Sequence, residues 1–552
     1  MKRFYNAPEQ MVDEVLEADA HLRSVRLSSR KSGMRILVRD DWDKNDQGRT
    51  QVALLSGGGA GHEPAHAGFV GEGMLTCAVS GSVFASPSVD AVMAGLREVC
   101  GEAGCLMIVK NYTGDRLNFG LAAERARAEG LKVDMVIVAD DIALDDAPQP
   151  RGIAGTIAIH KIAGYYAAQG TSLDELRPLV DDAASRLASL GMALDGATLP
   201  GQEPSPRSPE LGLGIHNETG AKDVSPESAR EAMTLVLAPL MEAMQSRHGS
   251  KVQVIALLNN LGRCTAQEMM VLTHALLETL GPDRLPMLIG PAPMMTSLDM
   301  HGFSITLLPF ESDLETALSA PATAPGWPGI RHVTTPDRFE PDVSDQNSVL
   351  TDNAPQDDHI AAALRRVTAA LIDAREELDA LDAKSGDGDA GASFEQGAKA
   401  IEQALDDARL PTERWVPALK GIGELLARDM GGSSGVLLSI LFTTTSAALE
   451  ESDGDWGHAL AQGVERMQTY GGARKGDRTM LDALIPAMDA VRDGGDIKAM
   501  AHAARQGADA TAEMKEARAG RASYIPGDRL EGVVDPGAEA IARALKALAQ
   551  PD

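Results

Sequence analysis

The densest group of side chains that could do chemistry is the stretch DAKSGDGDAG at residues 382–391. It places Asp382, Asp387 and Asp389 within eight residues of one another. Carboxylate oxygens are the ligands that Mg²⁺ prefers, and Mg²⁺ keeps coordination positions open for phosphate oxygens. The glycines also match GxGxxG, but the motif follows a helical pattern and its aspartates would repel a pyrophosphate. The stretch therefore indicates a magnesium site, and a solvated acidic turn is the alternative that these residues leave open.

Three further glycine clusters follow in the same half of the chain: GGSSG at 431–435, GGARKGDRTM at 471–480 and DPGA at 535–538. Each precedes a helical pattern, where the free backbone N–H groups of a helix start can bind a phosphate. Taken singly, each cluster also fits an ordinary cap or turn. Together they predict a nucleotide site built from helix ends. The sequence holds no GxxxxGK[ST] motif, which excludes a P-loop nucleotide site.

The first half of the chain has its own glycine-rich loop, SGGGAGHEPAH at 56–66, directly after an apolar run. Glycines let the backbone approach a ligand closely and expose N–H groups, and His62 would stand at the mouth of such a loop. Lys110 and Asp115 follow another apolar run, and His216 lies between glycine pairs in GLGIHNETG. Each of these features also has a purely structural alternative. The glycine-rich loop would be a tight turn, Asp115 a turn residue, and His216 a hydrogen-bonded histidine.

The elements that must position these residues differ between the two halves. Continuous apolar runs alternate with helical stretches in the first half, which predicts parallel strands buried on both faces, with the site past their carboxyl ends. After residue 356 apolar residues recur at helical spacing and predict an all-α domain. A segment rich in Pro, Asp, Thr and Ser lies between the halves. We expect an α/β domain at 1–320, a linker at 321–356 and an all-α domain at 357–552.

The composition bounds the classes of function. The 552 residues are 44% hydrophobic and 24% charged, as is usual for a globular protein, and the net charge is −29. That charge argues against nucleic acid and anionic membranes as partners. The four cysteines form no CxxC pair, so we expect buried thiols. A signal peptide and a membrane-spanning apolar run are not expected, and the cytoplasm is the expected location.

Nine stretches, in the same order along the chain, resemble the single-chain ATP-dependent dihydroxyacetone (glycerone) kinases. The resemblance covers nearly the whole chain. It implies an α/β ketone-binding domain of two subdomains with largely parallel strands, and an all-α helical-barrel domain that binds ATP. The matching stretches are LLSGGGAGHEPAHAGFVG (54–71), VFASPS (83–88), KNYTGDRLNF (110–119), GLGIHNETG (212–220), DAKSGDGDAG (382–391), GGSSG (431–435), GDRTM (476–480), GRASY (520–524) and DPGA (535–538).

The resemblance implies a role for each matching residue. His216 would attack the ketone carbonyl and hold the substrate as a covalent hemiaminal, which excludes glycerol because glycerol has no carbonyl group. Asp115 would take the proton of the terminal hydroxyl as that hydroxyl attacks the γ-phosphorus, and His62 would bind the substrate and share the acid–base work. The implied substrate-binding residues are Gly59, Ala60, Gly61, His62, Lys110 and Asp115.

In the second half, the resemblance implies that Asp382, Asp387 and Asp389 bind Mg²⁺, which bridges the phosphates of ATP. It also implies a small ketose as substrate and a homodimer whose domains cross between chains. The implied nucleotide-binding residues are Ala390, Gly391, Ala392, Ser393, Ser433, Ser434, Gly472, Thr479, Met480, Arg521, Asp535, Pro536 and Gly537.

Three positions depart from the familiar pattern of the family. Ala60 replaces a frequent serine, Thr219 replaces a proline, and Ala390 replaces a larger or polar residue. The first two lie near the expected ketone site and leave open a ketotetrose such as erythrulose as substrate. Two other readings compete with an ATP-dependent kinase: a kinase recharged by a phosphoprotein, whose two domains are separate chains in the known systems, and a ligand-sensing regulator.

Overall fold

The computed structural model describes residues 4–144, 149–204, 207–342, 348–526 and 529–551. The chain divides into two compact units, Met1–Arg338 and Phe339–Asp552, which we treat separately. The predicted α/β first domain and all-α second domain are both confirmed.

Unit 1 alternates strands and helices. Its strands are β1 (Val25–Leu27), β2 (Arg35–Arg39), β3 (Ala53–Ala60), β4 (Cys77–Val83), β5 (Cys105–Lys110), β6 (Val133–Val138), β7 (Ala188–Asp195), β8 (Glu210–Leu211), β9 (Lys222–Asp223), β10 (Val254–Asn260), β11 (Met287–Ala292), β12 (His301–Pro309) and β13 (Ile330–His332). Its helices are α1 (Met11–Leu22), α2 (Val89–Val99), α3 (Thr113–Ala128), α4 (Gly155–Ala168), α5 (Leu173–Ser185), α6 (Ala229–His248), α7 (Ala266–Arg284) and α8 (Ser312–Ser319).

The first sheet has the strand order β1-β2-β4-β3-β5-β6. Strand β3 pairs in parallel with β4 and β5, and β5 pairs in parallel with β6, whereas β1 and β2 are antiparallel. Helices α2 and α3 share a core with one face, and α4 and α5 share a core with the other. Every residue of β3 and β5 is buried for that reason. The carboxyl ends of β3 and β5 meet at one edge, where the glycine loop and Lys110 lie.

The second sheet has the strand order β13-β11-β10-β12-β7-β8-β9, and only the β10–β11 pair is parallel. The apolar runs at 252–258 and 304–308 pointed to parallel strands, but β10 and β12 pair antiparallel. An apolar run indicates a strand that is buried on both faces of the sheet, but it does not indicate whether the strand pairs in parallel or antiparallel. Here α6 and α7 cover one face, and the other face joins the core that contains α4.

The regular secondary structure of unit 2 is entirely helical within its described residues. Its helices are α9 (Asp358–Asp373), α10 (Arg375–Ser385), α11 (Ala390–Asp406), α12 (Trp415–Asp429), α13 (Gly432–Glu451), α14 (Trp456–Gly471), α15 (Leu481–Arg492), α16 (Ile497–Ala510) and α17 (Pro536–Leu548). Eight of them pack as a closed ring in the order α9, α11, α12, α13, α14, α15, α16, α17, and α17 returns to α9. The short α10 lies between α9 and α11 in the chain.

The ring encloses an apolar cavity of about 590 Å³, lined by side chains of all eight ring helices. Short connections make the helices from α11 to α16 alternate in direction. The approach of Gly537 to Met480 places the start of α17 beside the start of α15. Helix α13 is, within the described residues, the one helix long and apolar enough to cross a membrane by length and composition. Its neighbours in the ring are α12 and α14, and its Leu438, Leu441 and Phe442 line the cavity of the ring.

The segment expected to be a linker, 321–356, is divided between the two units. Strand β13 pairs with β11 at the edge of the second sheet, and Ala324 is buried in unit 1. At the other end, the Ser348 hydroxyl donates to the Glu424 carboxylate of α12 at 2.6 Å. A three-residue edge strand leaves no periodicity for sequence reasoning to find. Residues 343–347 lie outside the described ranges.

Candidate functional site

The glycine loop at the end of β3 is shaped by close approaches of the backbone. A Cβ on Gly59 would lie 2.7 Å from the backbone N of Ala85, so no larger side chain fits. A Cβ on Gly58 would lie 3.3 Å from Lys110 Nζ and 3.6 Å from Asp115 Oδ2. Gly61 has a φ of +95°, which favours glycine. The loop therefore packs directly against the two charged groups that sequence reasoning singled out.

Lys110 and Asp115 form the charged centre of this site. Lys110 ends β5 and is completely buried, and its Nζ has no hydrogen-bond partner among the described residues. Burial lowers the pKa of Lys110, although Asp115 and Glu218 oppose that shift. Asp115 is 2% exposed in the first turn of α3, where the helix dipole favours its charge, and it accepts the hydroxyl hydrogen of Ser86. A buried cation and a buried carboxylate thus face the same space.

His62 is held as a neutral base. Its Nδ1 lies 2.8 Å from the backbone oxygen of Thr296. Because a carbonyl only accepts, Nδ1 must carry the proton and Nε2 keeps its lone pair. Burial, and next the charge of Lys110, keep the pKa of His62 well below its ordinary value. Within the described part of the chain Nε2 has no partner, so it is available to a substrate hydroxyl.

His216 lies in the loop after β8 and contacts the same space. Its ring meets the rings of His62 and Tyr112 edge-on, with centroids 4.8 Å and 4.3 Å apart. Its side chain is 17% exposed, and its Nδ1 lies 3.4 Å from the Glu218 carboxylate. Burial raises the pKa of Glu218, but the hydrogen bonds and charge of His216 outweigh it and lower that pKa to about 2. The carboxylate is therefore ionised and orients the imidazole.

The structure brings together His62, Lys110, Asp115 and His216 from four separate parts of unit 1, with Gly59, Ala60 and Gly61 on the adjoining loop. Sequence reasoning missed several residues of the same site: Phe84, Ser86, Tyr112, Glu218 and Arg151. Phe84 stacks on His62 with centroids 5.2 Å apart. Arg151 donates to Asp141 and to the backbone oxygen of Gly212, which anchors the His216 loop. All but Arg151 lie inside the quoted stretches. Phe, Ser and Tyr carry no sign of chemistry by type, and Glu218 is one of 80 acidic residues in the chain.

The three aspartates expected to bind a metal are brought together in the turn between α10 and α11. One carboxylate oxygen of each lies within 4.8 Å of the others. Asp382 Oδ2 accepts the backbone N–H groups of Gly388 and Asp389 at 2.9 and 3.0 Å, which fixes the turn. Asp387 and Asp389 are exposed. Three carboxylates on one open turn fit Mg²⁺, which takes few protein ligands and several waters or phosphate oxygens.

The expected nucleotide residues lie at one rim of the helical ring. Because ring neighbours alternate in direction, α11, α13, α15 and α17 all begin at that rim. Their free N–H groups form a site suited to phosphates. A Cβ on Gly537 would lie 3.3 Å from Met480 Cβ, which shows that the starts of α15 and α17 adjoin. The expected residues found at this rim are Ala390, Gly391, Ala392, Ser393, Ser433, Ser434, Gly472, Thr479, Met480, Asp535, Pro536 and Gly537.

Two charged residues support this rim. Asp535 caps α17 through a 2.8 Å hydrogen bond from Ala538 N, and burial raises its pKa to about 6. Arg478, which sequence reasoning did not assign, is 1% exposed and donates to the backbone oxygen of Val533 at 2.7 Å. It thereby ties the loop before α15 to the segment before α17. The side chain of Arg521, another expected nucleotide residue, lies outside the described part of the structure.

Comparison with known proteins finds a match for each of the two units. Residues 19–326 match the Dak1 domain and residues 384–550 match the DAK2 domain. The chain is also 43% identical to the dihydroxyacetone kinase of Citrobacter freundii, over 100% of this chain and 99% of that protein. The chain belongs to the dihydroxyacetone kinase family. The resemblance found in the sequence is thus confirmed.

Other members of the family and one related fold extend the comparison. The chain is 39% identical to human triokinase/FMN cyclase over 94% of this chain and 93% of that protein. The crystal structure of the C. freundii dihydroxyacetone kinase in complex with AMP-PNP and Mg²⁺ matches with a TM-score of 0.76 and 40% identity, covering 99% of both chains. A dihydroxyacetone kinase operon co-activator matches with a TM-score of 0.53 and 29% identity, over 59% of this chain and 99% of its own.

Proposed function

We propose that this family member transfers the γ-phosphoryl group of ATP to dihydroxyacetone, giving dihydroxyacetone phosphate and ADP. The observation that carries the proposal is the buried group of His62, Lys110 and Asp115 beside the partly exposed His216. It combines a nucleophile for a carbonyl with two acceptors for hydroxyl protons. The names of the relatives and the AMP-PNP and Mg²⁺ bound to the C. freundii enzyme support it.

His216 captures the ketone. Its ring nitrogen attacks the carbonyl carbon, the carbonyl electron pair moves to oxygen, and that oxygen takes a proton from solvent to become the hemiaminal hydroxyl. The positive charge that the attack places on the imidazole falls beside the ionised Glu218, 3.4 Å from Nδ1, which stabilises it or takes the Nδ1 proton. Polyols without a carbonyl cannot be captured, so this step selects ketoses over glycerol.

The captured substrate presents a terminal hydroxyl to Asp115. As this oxygen forms its bond to the γ-phosphorus, its proton passes to the Asp115 carboxylate, and the bond to ADP breaks with its electron pair on the leaving oxygen. Ser86 holds the carboxylate and Lys110 keeps a positive charge close to it. His62 Nε2, with its lone pair free of protein partners in the described residues, accepts a hydrogen bond from another substrate hydroxyl.

The second unit supplies the phosphate side of the reaction. Asp382, Asp387 and Asp389 would hold Mg²⁺. The bound metal neutralises phosphate charge and so lowers the cost of bringing ATP to an acidic turn. The starts of α13, α15 and α17 would receive the phosphates on their backbone N–H groups, with the Ser433 and Ser434 hydroxyls in the first turn of α13. This assignment of binding residues is supported by their position at the same end of the helical ring.

The proposal is tested by a coupled assay of ADP release with Mg-ATP. Dihydroxyacetone, D- and L-erythrulose, glyceraldehyde and glycerol are compared, with His216→Ala as the control variant. We expect the unaltered protein to turn over ketoses but not glycerol. We expect His216→Ala to lose this turnover or its selectivity for ketoses. No turnover with any short ketose would overturn it, and would favour a phosphoprotein donor or a sensing role. The same panel ranks dihydroxyacetone against erythrulose, which Ala60 leaves open.

We further propose that the protein acts as a homodimer in the cytoplasm. The resemblance to the single-chain kinases supports the dimer. The alternative of a ligand-sensing regulator is less well supported, because the kinase structure matches 99% of this chain and the co-activator structure matches only 59% of it. Light scattering of the purified full-length chain measures the mass directly. A mass of one chain at working concentration would contradict the dimer.

A further inference from the structure

Unit 1 contains a second group of chemically matched side chains, which the proposed reaction does not use. Cys264, Glu268 and His301 each offer one ligand atom, and the three atoms lie within 4.8 Å of one another. The donor set is one thiol sulfur, one carboxylate oxygen and one imidazole nitrogen. Mg²⁺ and Ca²⁺ prefer oxygen ligands alone, whereas this mixture is typical of Zn²⁺.

The backbone holds the three ligands in place independently of any ion. Cys264 lies in the turn after β10, and Asn260 Nδ2 donates to its backbone oxygen at 2.8 Å. Glu268 lies in the first turn of α7, where its Oε2 accepts the Thr265 N–H at 2.7 Å as part of a capping box. His301 begins β12. Three separate elements therefore converge, and they bring the three donor atoms close together without an ion.

The distances leave room for a small cation. His301 Nε2 lies 2.7 Å from Glu268 Oε1, and the Cys264 thiol donates to the backbone oxygen of Gly302 at 3.2 Å. The nitrogen and oxygen ligands of a tetrahedral zinc site are about 3.3 Å apart, given its bond lengths, so the His301–Glu268 pair must open by roughly half an ångström. The side chains of Glu268 and His301 are 42% and 24% exposed, so an ion and a water molecule can reach them.

We propose that Cys264, Glu268 and His301 form a zinc site with three protein ligands and a fourth position open to water. On binding, three donor–zinc bonds form and the hydrogen bond between His301 Nε2 and Glu268 breaks. The thiol proton passes to solvent, and the proton on His301 Nε2 is lost to solvent while Nδ1 carries the ring proton, which frees the Nε2 lone pair for the ion. The site lies in unit 1 and is distinct from the aspartate turn of unit 2. It goes beyond the kinase reaction and does not depend on it.

The chain between the two sites gives the ion a positioning role. The backbone oxygen of Thr296 accepts a hydrogen bond from His62 Nδ1 at 2.8 Å. The Ser297 hydroxyl donates at 2.7 Å to the backbone oxygen of Ile215, the residue before His216. Four residues after Ser297 the chain reaches His301. An ion bound to His301 therefore anchors the segment that orients His62 and supports the His216 loop.

The test is a Co²⁺ titration of the metal-stripped full-length protein in excess Mg²⁺, followed by absorption. Cobalt bound through a thiolate gives a sulfur-to-cobalt charge-transfer band that oxygen ligands cannot give. We expect one such Co²⁺ per chain, displaced by Zn²⁺. Cys264→Ser loses the band, His301→Gln weakens Co²⁺ binding by about tenfold or more, and the control Cys100→Ser keeps the band.

The outcome does not depend on the folding of a variant or on kinase activity. Absence of the band in the unaltered protein, or its persistence in Cys264→Ser, would overturn the site. Thermal melts of each variant check that its fold is retained. A kinase that is active but shows no band would refute the zinc site alone, and an inactive protein that shows the band would refute the kinase alone.

Discussion

The imidazole rings of His62 and His216 meet edge-on with centroids 4.8 Å apart, although the two residues are 154 positions apart in the chain. Their surroundings give them opposite tasks. His62 is completely buried and neutral with a lone pair on Nε2, whereas His216 is partly exposed beside an ionised carboxylate. One ring is suited to accept hydrogen bonds from substrate, and the other to take the charge of a covalent adduct.

Replacing Glu218 by Gln tests the charge beside His216. The amide keeps the size of the side chain but removes the negative charge that stabilises the imidazolium formed on ketone attack. We expect kcat/KM for dihydroxyacetone to fall about 10²-fold, in the range of lost acid–base support. Steady-state kinetics measure this fall. The intact mass of the protein after rapid dilution shows whether the bound ketose has been lost. Glu227→Gln, at an exposed position, serves as the control; equal kinetics of Glu218→Gln and wild type would contradict the role.

Asp115→Asn separates capture from transfer. The variant keeps His216, so a ketose adduct still forms, but no carboxylate takes the hydroxyl proton. We expect kcat to fall by about 10²–10⁴-fold, as for loss of a general base. Ser86→Ala removes only the hydroxyl that holds the Asp115 carboxylate and should cost about tenfold or less. Native mass spectrometry with dihydroxyacetone follows the adduct, and kinetics follow transfer. Loss of the adduct in Asp115→Asn would show that the residue acts in binding instead.

Buried histidines should make the stability of unit 1 depend on pH. His160 is completely buried on α4 and hydrogen-bonds Ser56, and burial lowers its pKa to about 3. Since the unfolded chain binds a proton near pH 6.5 and the folded chain does not, the unfolding free energy falls as pH drops below 6.5 toward 3. The slope is about 1.4 kcal/mol per pH unit for one such group.

Denaturant unfolding between pH 7 and pH 5 measures that slope, and the difference between wild type and His160→Gln isolates the contribution of His160. The comparison is needed because Asp140, whose pKa burial raises to about 6, acts in the opposite direction. Its contribution to the free energy of unfolding falls as pH rises toward 6. His332→Gln, at an exposed edge-strand position, should leave the slope unchanged. A His160→Gln slope equal to that of wild type would contradict the prediction.

Sequence reasoning located the charged and glycine-rich stretches because strand ends and helix starts leave a clear local pattern. The runs before Gly57 and Asn111 predicted β3 and β5, and the positions of His62, Lys110 and Asp115 followed. Local patterns carry no information on which residues meet across the chain. Glu218 became visible only through its contact with His216, and the closed ring of unit 2 depends on packing between helices distant in sequence.

The aspartate turn of unit 2 allows a prediction that separates metal binding from folding. Asp387 and Asp389 are exposed, so Asn at either position should weaken Mg-ATP use about tenfold or more and lower the melting temperature less than Asp382→Asn does. Asp382 also accepts three backbone N–H groups, from Gly388, Asp389 and Ala390. Asp382→Asn should therefore lose Mg-ATP use and also destabilise unit 2 by about 1–2 kcal/mol, since an amide accepts these bonds more weakly.

Mg-ATP titrations and thermal melts of the three variants decide between a metal site and a purely structural turn. Glu450→Gln, an exposed carboxylate near the end of α13 and so at the opposite rim, is the matched control and should change neither readout. If all three aspartate variants lowered the melting temperature equally and left Mg-ATP use intact, the turn would be structural only. If Asp387→Asn and Asp389→Asn alone raise the Mg²⁺ requirement, the exposed pair carries the metal while Asp382 also holds the turn that presents it.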